Sequence, residues 1–161
     1  MHKIKKKEFN IGYGNVKKVK VGKFNPLLFI GGPCAIESLS HSLKMASRIK
    51  KICDKLKIQF IFKSCYNKDS RSSPESFNGV GIEEGLEILQ KVRKKIKVPV
   101  VADFSDPSWA APTGKVVDII QIPAYLCRQT SILRAAAETN KPILIKKGQF
   151  ITISSKGDFG G

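Results

Sequence analysis

Three cations and a run of small hydroxyl residues follow a strand-like stretch in Phe62-Lys63-Ser64-Cys65-Tyr66-Asn67-Lys68-Asp69-Ser70-Arg71-Ser72-Ser73. Lysine supplies a mobile point charge and arginine a planar fork for paired oxygens, so this segment suits phosphate or carboxylate groups. A solvated basic loop in a lysine-rich chain would read the same way taken alone. The balance shifts because other strand ends carry matching chemistry: Cys34, Asp103, Gln121 with Arg128, and Lys146. A rim rich in cations, with one thiol and one carboxylate, points to a substrate carrying more than one phosphate or carboxylate.

The elements that would position these residues follow from the apolar periodicity. Residues 1–26 read as a short hairpin or arm, with Gly12 and Gly14 as turn signals and Val16, Val19 and Val21 alternating. Leu27-Leu28-Phe29-Ile30 is a continuous apolar run stopped by Gly31-Gly32-Pro33, as expected of a strand buried on both faces. Leu39, Leu43, Ala46, Ile49, Cys53 and Leu56 then recur at helical spacing, with Ser38 as N-cap. A second strand is predicted over 58–63 and a second helix over 82–96, acidic at its start and basic at its end as the macrodipole prefers. A third strand over 98–103, a weakly helical segment around Trp109, a fourth strand over 116–122, a helix near 131–138 and a fifth strand over 142–146 complete the pattern. Short apolar strands alternating with helices predict βαβ units and a parallel sheet. Right-handed crossovers bring all the strand C-termini to one side, the rim on which parallel α/β barrels build their sites.

Bulk properties narrow the classes. A chain of 161 residues with 42% hydrophobic content supports one globular core. No apolar run would span a bilayer, and the basic start leads into polar residues, so neither a membrane partner nor export is expected. The four cysteines are widely spaced without a Cys-x-x-Cys pair, which argues against a disulfide framework or a complete zinc cage and suits a reducing cytoplasm. The net charge of +16 invites a nucleic-acid reading. Yet the lysines run along the whole chain, and only 8% of residues are aromatic, with none in a recognisable stacking motif. No specific nucleic-acid partner is therefore expected.

Longer motifs carry a resemblance. Gly31-Gly32-Pro33-Cys34-Ala35-Ile36-Glu37-Ser38, the segment from Phe62-Lys63 to Arg71-Ser72-Ser73, and Gly81-Ile82-Glu83-Glu84-Gly85-Leu86 occur in order. Val117-Asp118-Ile119-Ile120-Gln121-Ile122-Pro123-Ala124-Tyr125-Leu126-Cys127-Arg128-Gln129-Thr130 and Lys146-Lys147-Gly148-Gln149-Phe150 complete the set. Over most of 27–150 the chain resembles the 3-deoxy-D-manno-octulosonate 8-phosphate synthases, or 2-dehydro-3-deoxyphosphooctonate aldolases. The resemblance implies a (β/α)8 TIM barrel that condenses phosphoenolpyruvate with arabinose 5-phosphate and releases phosphate. It also implies a cytoplasmic homo-oligomer, a tetramer by family, supplying lipopolysaccharide synthesis. The related 3-deoxy-arabino-heptulosonate 7-phosphate synthases use erythrose 4-phosphate and place arginine almost directly after the strand-two lysine. Here Lys68 lies in the longer segment between Lys63 and Arg71, which favours the octulosonate branch. A basic fragment that binds polyanions stays open as the non-enzyme alternative.

By resemblance, Lys63, Lys68 and Lys146 hold phosphoenolpyruvate, with Gln121 and the backbone of Ala124 helping to seat it. Arg71 and Ser72 clamp the pentose phosphate, Arg128 adds charge, and Asp103 lies near the sugar hydroxyls. Lys63, Lys68 and Asp103 are the candidate catalytic residues. Cys34 marks the metal-dependent class and implies a divalent ion, zinc or iron(II), which suits a thiolate. Taken alone, Cys34 could equally be an inert buried thiol; Cys53 and Cys127 read as core.

The same resemblance sets expectations of incompleteness. A full barrel of this type takes about 250 residues, and this chain provides about five of the eight strands. The remaining metal ligands (a histidine, a glutamate and an aspartate) and a further phosphate-binding arginine would lie in the other half; His2 and His41 are not suitably placed. Ser70, Asn78 and Ser105 stand where the family has asparagine, arginine and histidine. The expected organisation is an arm at 1–26, a partial barrel at 27–150 and a divergent tail at 151–161, as in a fragment or a frame-shifted product. Unpaired sheet edges are expected to make such a chain self-associate.

Overall fold

The computed structural model describes residues 8–22, 24–68, 73 and 75–151. Two short strands, β1 (Phe9–Ile11) and β2 (Val19–Val21), pair antiparallel as the expected hairpin. The chain then alternates through β3 (Leu28–Gly31), α1 (Leu39–Lys55), β4 (Gln59–Lys63), α2 (Ile82–Ile96), β5 (Val100–Asp103), α3 (Ala110–Val116), β6 (Ile119–Ile122), α4 (Thr130–Glu138) and β7 (Ile143–Ile145). The five longer-range strands form one parallel sheet in the order β3-β4-β5-β6-β7, so each crossover adds its strand beside the last. This is the parallel βαβ sheet that the periodicity called for, and part of the barrel that the resemblance implied.

The helix limits have local causes. Ser38 caps α1, its Oγ accepting from the His41 amide at 3.2 Å. Glu83 and Glu84 open α2 and Arg93, Lys94 and Lys95 close it, before Lys97 takes a left-handed conformation. Gly85 of α2 is required by packing: a Cβ there would fall 2.1 Å from the Cβ of Tyr66. The helix can therefore lie close over Tyr66, whose hydroxyl reaches Thr113 Oγ1 at 2.7 Å in α3.

Strand alternation divides the core in two. Phe60, Phe62, Val100, Ala102, Ile120 and Ile122 face the helices in the larger cluster. Ile61, Val101 and Ile119 face the other way and pack with Ile11 and Val19 of the hairpin. The hairpin thus covers the end of the sheet where the strands begin. It is fastened there by Asp118, which accepts from the Tyr13 amide at 3.2 Å, the Val100 amide at 2.9 Å and Arg93 Nε at 2.9 Å.

Three expectations need correction. Leu27-Leu28-Phe29-Ile30 is not buried on both faces: Leu27 is 72% exposed and Phe29 46%. The reason is that β3 pairs only with β4 among the described residues. The fourth strand begins at Ile119 rather than Val116, because Val116 ends α3 and Asp118 is taken up by its three donors. Leu56, counted on the apolar stripe of α1, is 59% exposed beyond the helix end. Residues 152–161 of the expected tail, and His2, lie outside the described residues.

Candidate active site

The inner face of the sheet is apolar near the hairpin and polar at the strand C-termini. Two residues on from Ile61, Val101, Ile119 and Leu144 come Lys63, Asp103, Gln121 and Lys146. Register aligns them, since Lys63 pairs with Val101, Asp103 with Gln121, and Gln121 with Leu144. Sequence positions far apart are thereby gathered at one mouth.

The exit loops of β3 and β4 are stitched together just beyond the sheet. Ser64 Oγ donates to the Pro33 carbonyl at 2.8 Å, the Cys65 amide to Cys34 at 3.3 Å, and the Ile36 amide to Cys65 at 2.8 Å. Gly32 permits this closeness, for a Cβ there would lie 2.1 Å from the Lys63 carbonyl oxygen.

Within the mouth, Asp103 is the anionic centre. Its Oδ2 lies 3.8 Å from Lys63 Nζ and accepts from Gln121 Nε2 at 3.0 Å, while Oδ1 accepts from the Cys65 thiol. Lys63 Nζ also donates to Cys65 Sγ at 3.2 Å. Burial pulls the Lys63 ammonium toward lower pKa, but the charge of Asp103, with Cys65 and Cys34 beside it, outweighs burial and leaves it raised. Lys63 is a firmly held cation. The Cys65 thiol is pushed up to about 12, first by burial and then by the neighbouring Asp103 charge, so it stays protonated.

Lys68 Nζ sits 2.5 Å from Cys34 Sγ. Cys34 is exposed, which removes the inert-buried alternative for it, whereas Cys53 and Cys127 are buried as expected. Lys68 and Ser105 line a small cleft of about 30 Å³ together with Cys65, Asp103 and Tyr125. Ala124 starts a 3-10 turn immediately after β6, and Arg128 follows that turn, exposed, before α4. Lys146 leaves the end of β7, its amide donating to the Ile122 carbonyl at 3.1 Å. Arg71 and Ser72, with Ser70, lie outside the described residues.

Among the described residues no three of histidine, cysteine, aspartate and glutamate gather as a metal site. His41 is in α1 and pairs with Glu37 at 3.6 Å. The described donors therefore do not fit a divalent ion by themselves.

One member of the cluster was not read from the sequence as a site residue. Cys65 stands two positions after Lys63, and the period-two alternation that placed Lys63 on the inner face would have placed Cys65 there too. The signal was weak because Cys65 lies past the end of β4, held by a single bridge to Ala35.

The family model described as "DAHP synthetase I family" matches residues 2–157. The chain belongs to the DAHP synthetase I family. Among curated relatives, a protein of Cyanothece sp. (strain PCC 7425 / ATCC 29141) is 50% identical over 133 residues, covering 83% of this chain and 49% of its own. One of Koribacter versatilis (strain Ellin345) is 50% identical over 137 residues, 84% of this chain and 49% of its own. One of Rickettsia rickettsii (strain Sheila Smith) is 47% identical over 136 residues, 84% of this chain and 50% of its own. All three are named 2-dehydro-3-deoxyphosphooctonate aldolase. The chain spans about half the length of the curated relatives it matches. Within the DAHP synthetase I family, these relatives lie on the octulosonate side that the Lys63 to Arg71 spacing favoured.

Proposed function

We propose that the mouth binds phosphoenolpyruvate and arabinose 5-phosphate and serves their condensation with water to 3-deoxy-D-manno-octulosonate 8-phosphate and inorganic phosphate. The observation that carries this reading is the Lys63–Asp103–Gln121 group at the strand ends, with Lys68 lining the adjoining cleft, in a chain 47–50% identical to proteins named for that product. Lys63, Lys68 and Lys146 take the donor's phosphate and carboxylate, with Gln121 and the Ala124 backbone beside them. Arg71, Ser72 and Arg128 take the aldose phosphate. Two polyanions repel one another, and fixed cations offset that repulsion before the carbons meet, so this is catalysis by positioning and electrostatics. Asp103 contributes by keeping Lys63 charged and in place.

Zinc or iron(II) at Cys34 enters no step of this reading, because the described residues supply too few donors. Assembly as a homotetramer and a role in lipopolysaccharide synthesis in the cytoplasm belong to the same proposal. Among the described residues no helix is long and apolar enough to cross a membrane.

The test is phosphate release from phosphoenolpyruvate with arabinose 5-phosphate or erythrose 4-phosphate, each with and without zinc or iron(II), alongside calorimetric titration of phosphoenolpyruvate alone. Binding of the donor and release dependent on arabinose 5-phosphate are expected. Release only with erythrose 4-phosphate would move the assignment to the heptulosonate branch. Salt-sensitive retention of nucleic acid with no donor binding would replace the enzyme reading by the polyanion-binding one.

A further inference from the structure

The Lys63 ammonium is nearer to a thiol than to the carboxylate that balances its charge. Nζ stands 3.2 Å from Cys65 Sγ and 3.8 Å from Asp103 Oδ2. Cys65 is 2% exposed, and its Sγ also meets Asp103 Oδ1, so the sulfur lies between cation and anion. In this arrangement the thiol donates its hydrogen to the carboxylate and accepts one from the ammonium.

We propose that Cys65 is a positioning residue for Lys63, a neutral spacer that keeps Asp103 close enough to stabilise the ammonium but not in tight contact with it. The inference rests on the donor-binding reading above. A lysine drawn into a short pair with a carboxylate commits both its charge and its hydrogens to that partner. With sulfur interposed, one ammonium hydrogen is spent on the thiol and the others stay available to an incoming oxyanion. The carboxylate still acts through space, since the charge attraction falls only gradually with separation. Gln121 Nε2 donates at 3.0 Å to the same Oδ2 that faces Lys63, so a neutral donor already occupies the oxygen that would otherwise close on the ammonium. The Cys34 and Lys68 pair is adjacent, so the mouth contains two lysine–thiol pairs with different exposure, Cys65 buried and Cys34 exposed.

The experiment compares the wild type with Cys65→Ser and Cys65→Val, using Lys63→Met as the reference for loss of the cation. Serine keeps a donor and an acceptor, whereas valine fills the site with an apolar, β-branched side chain one methyl larger and removes both. Phosphoenolpyruvate affinity by calorimetry is expected to fall about tenfold in Cys65→Val, corresponding to one lost charge-assisted hydrogen bond, and to stay within about twofold in Cys65→Ser. Valine binding as tightly as wild type, while Lys63→Met loses affinity, overturns the proposal and leaves the functional reading standing. A second measurement is independent of the substrate. The Lys63 ammonium is expected to give a slowly exchanging 1H–15N signal in wild type and Cys65→Ser, and to lose it in Cys65→Val at unchanged melting temperature. Persistence of that signal in Cys65→Val overturns the proposal even if no variant binds phosphoenolpyruvate, an outcome that would separately overturn the functional reading.

Discussion

Asp103 divides two oxygens among three partners: the Cys65 thiol on Oδ1, and Gln121 with Lys63 on Oδ2. Both the charge and the hydrogen bonds of this carboxylate are engaged in a partly buried site. Asp103→Asn is expected to cost about 2 kcal/mol, the scale of a hydrogen bond to a charged group, read as a lowered urea midpoint at unchanged slope. At this scale the sequence was informative where side chains end strands. Lys63, Asp103, Gln121 and Lys146 could be picked out because they fall at the C-terminal ends of strands that right-handed crossovers bring to one side. Cys65 is in phase with Lys63 but lies past the end of β4, and the Cys34–Lys68 pair depends on loop geometry that no period describes.

The hairpin is held to the sheet by a polar latch as well as by Ile11 and Val19. Arg93, 8% exposed, gives Nε to Asp118 at 2.9 Å and lies 3.6 Å over the Tyr13 ring, so an element of the arm, one helix and the lead into β6 share a single ion pair. Arg93→Ala leaves Asp118 buried without its cation and is expected to cost about 3–5 kcal/mol in chemical denaturation. Tyr13 adds a pH dependence of definite sign. Burial raises its phenol above the ordinary 10.0, Arg93 opposing and Asp118 assisting. The folded state therefore holds the phenolic proton more tightly than the unfolded chain. That contribution is complete below the unfolded value and is lost as pH rises through the folded one. The hydroxyl donates to the Lys115 and Val116 carbonyls, each at 3.1 Å, and ionisation removes that donor. Melting temperature measured from about pH 9 to 11 should fall more steeply in wild type than in Tyr13→Phe. None of this latch was legible beforehand. Arg93 looked like a helix-end charge and Asp118 like part of a strand, and residues 25 apart in sequence give no local sign of meeting.

The whole molecule is an open curl of parallel strands with two unpaired edges among the described residues, β3 and β7. Leu27 and Phe29 stand exposed at one edge, and Ile143 and Ile145 at the other. Such edges offer free backbone groups beside apolar side chains, a template for pairing with other chains. The 161-residue chain is expected to sediment as species larger than a monomer, increasingly so with concentration. A single monomeric boundary with one cooperative melting transition would contradict that expectation. The parallel class was readable because every segment repeats one short apolar strand followed by a helix. The unpaired edges followed from the count of five strands, but the exposure of Leu27 and Phe29 did not, because an apolar run looks alike whether or not a neighbour covers it. The arm packed beneath Ile61, Val101 and Ile119 also plugs the sheet where its strands begin. Whatever reaches Lys63 and Asp103 therefore arrives over the strand C-termini or through the open side of the curl, never from beneath the arm.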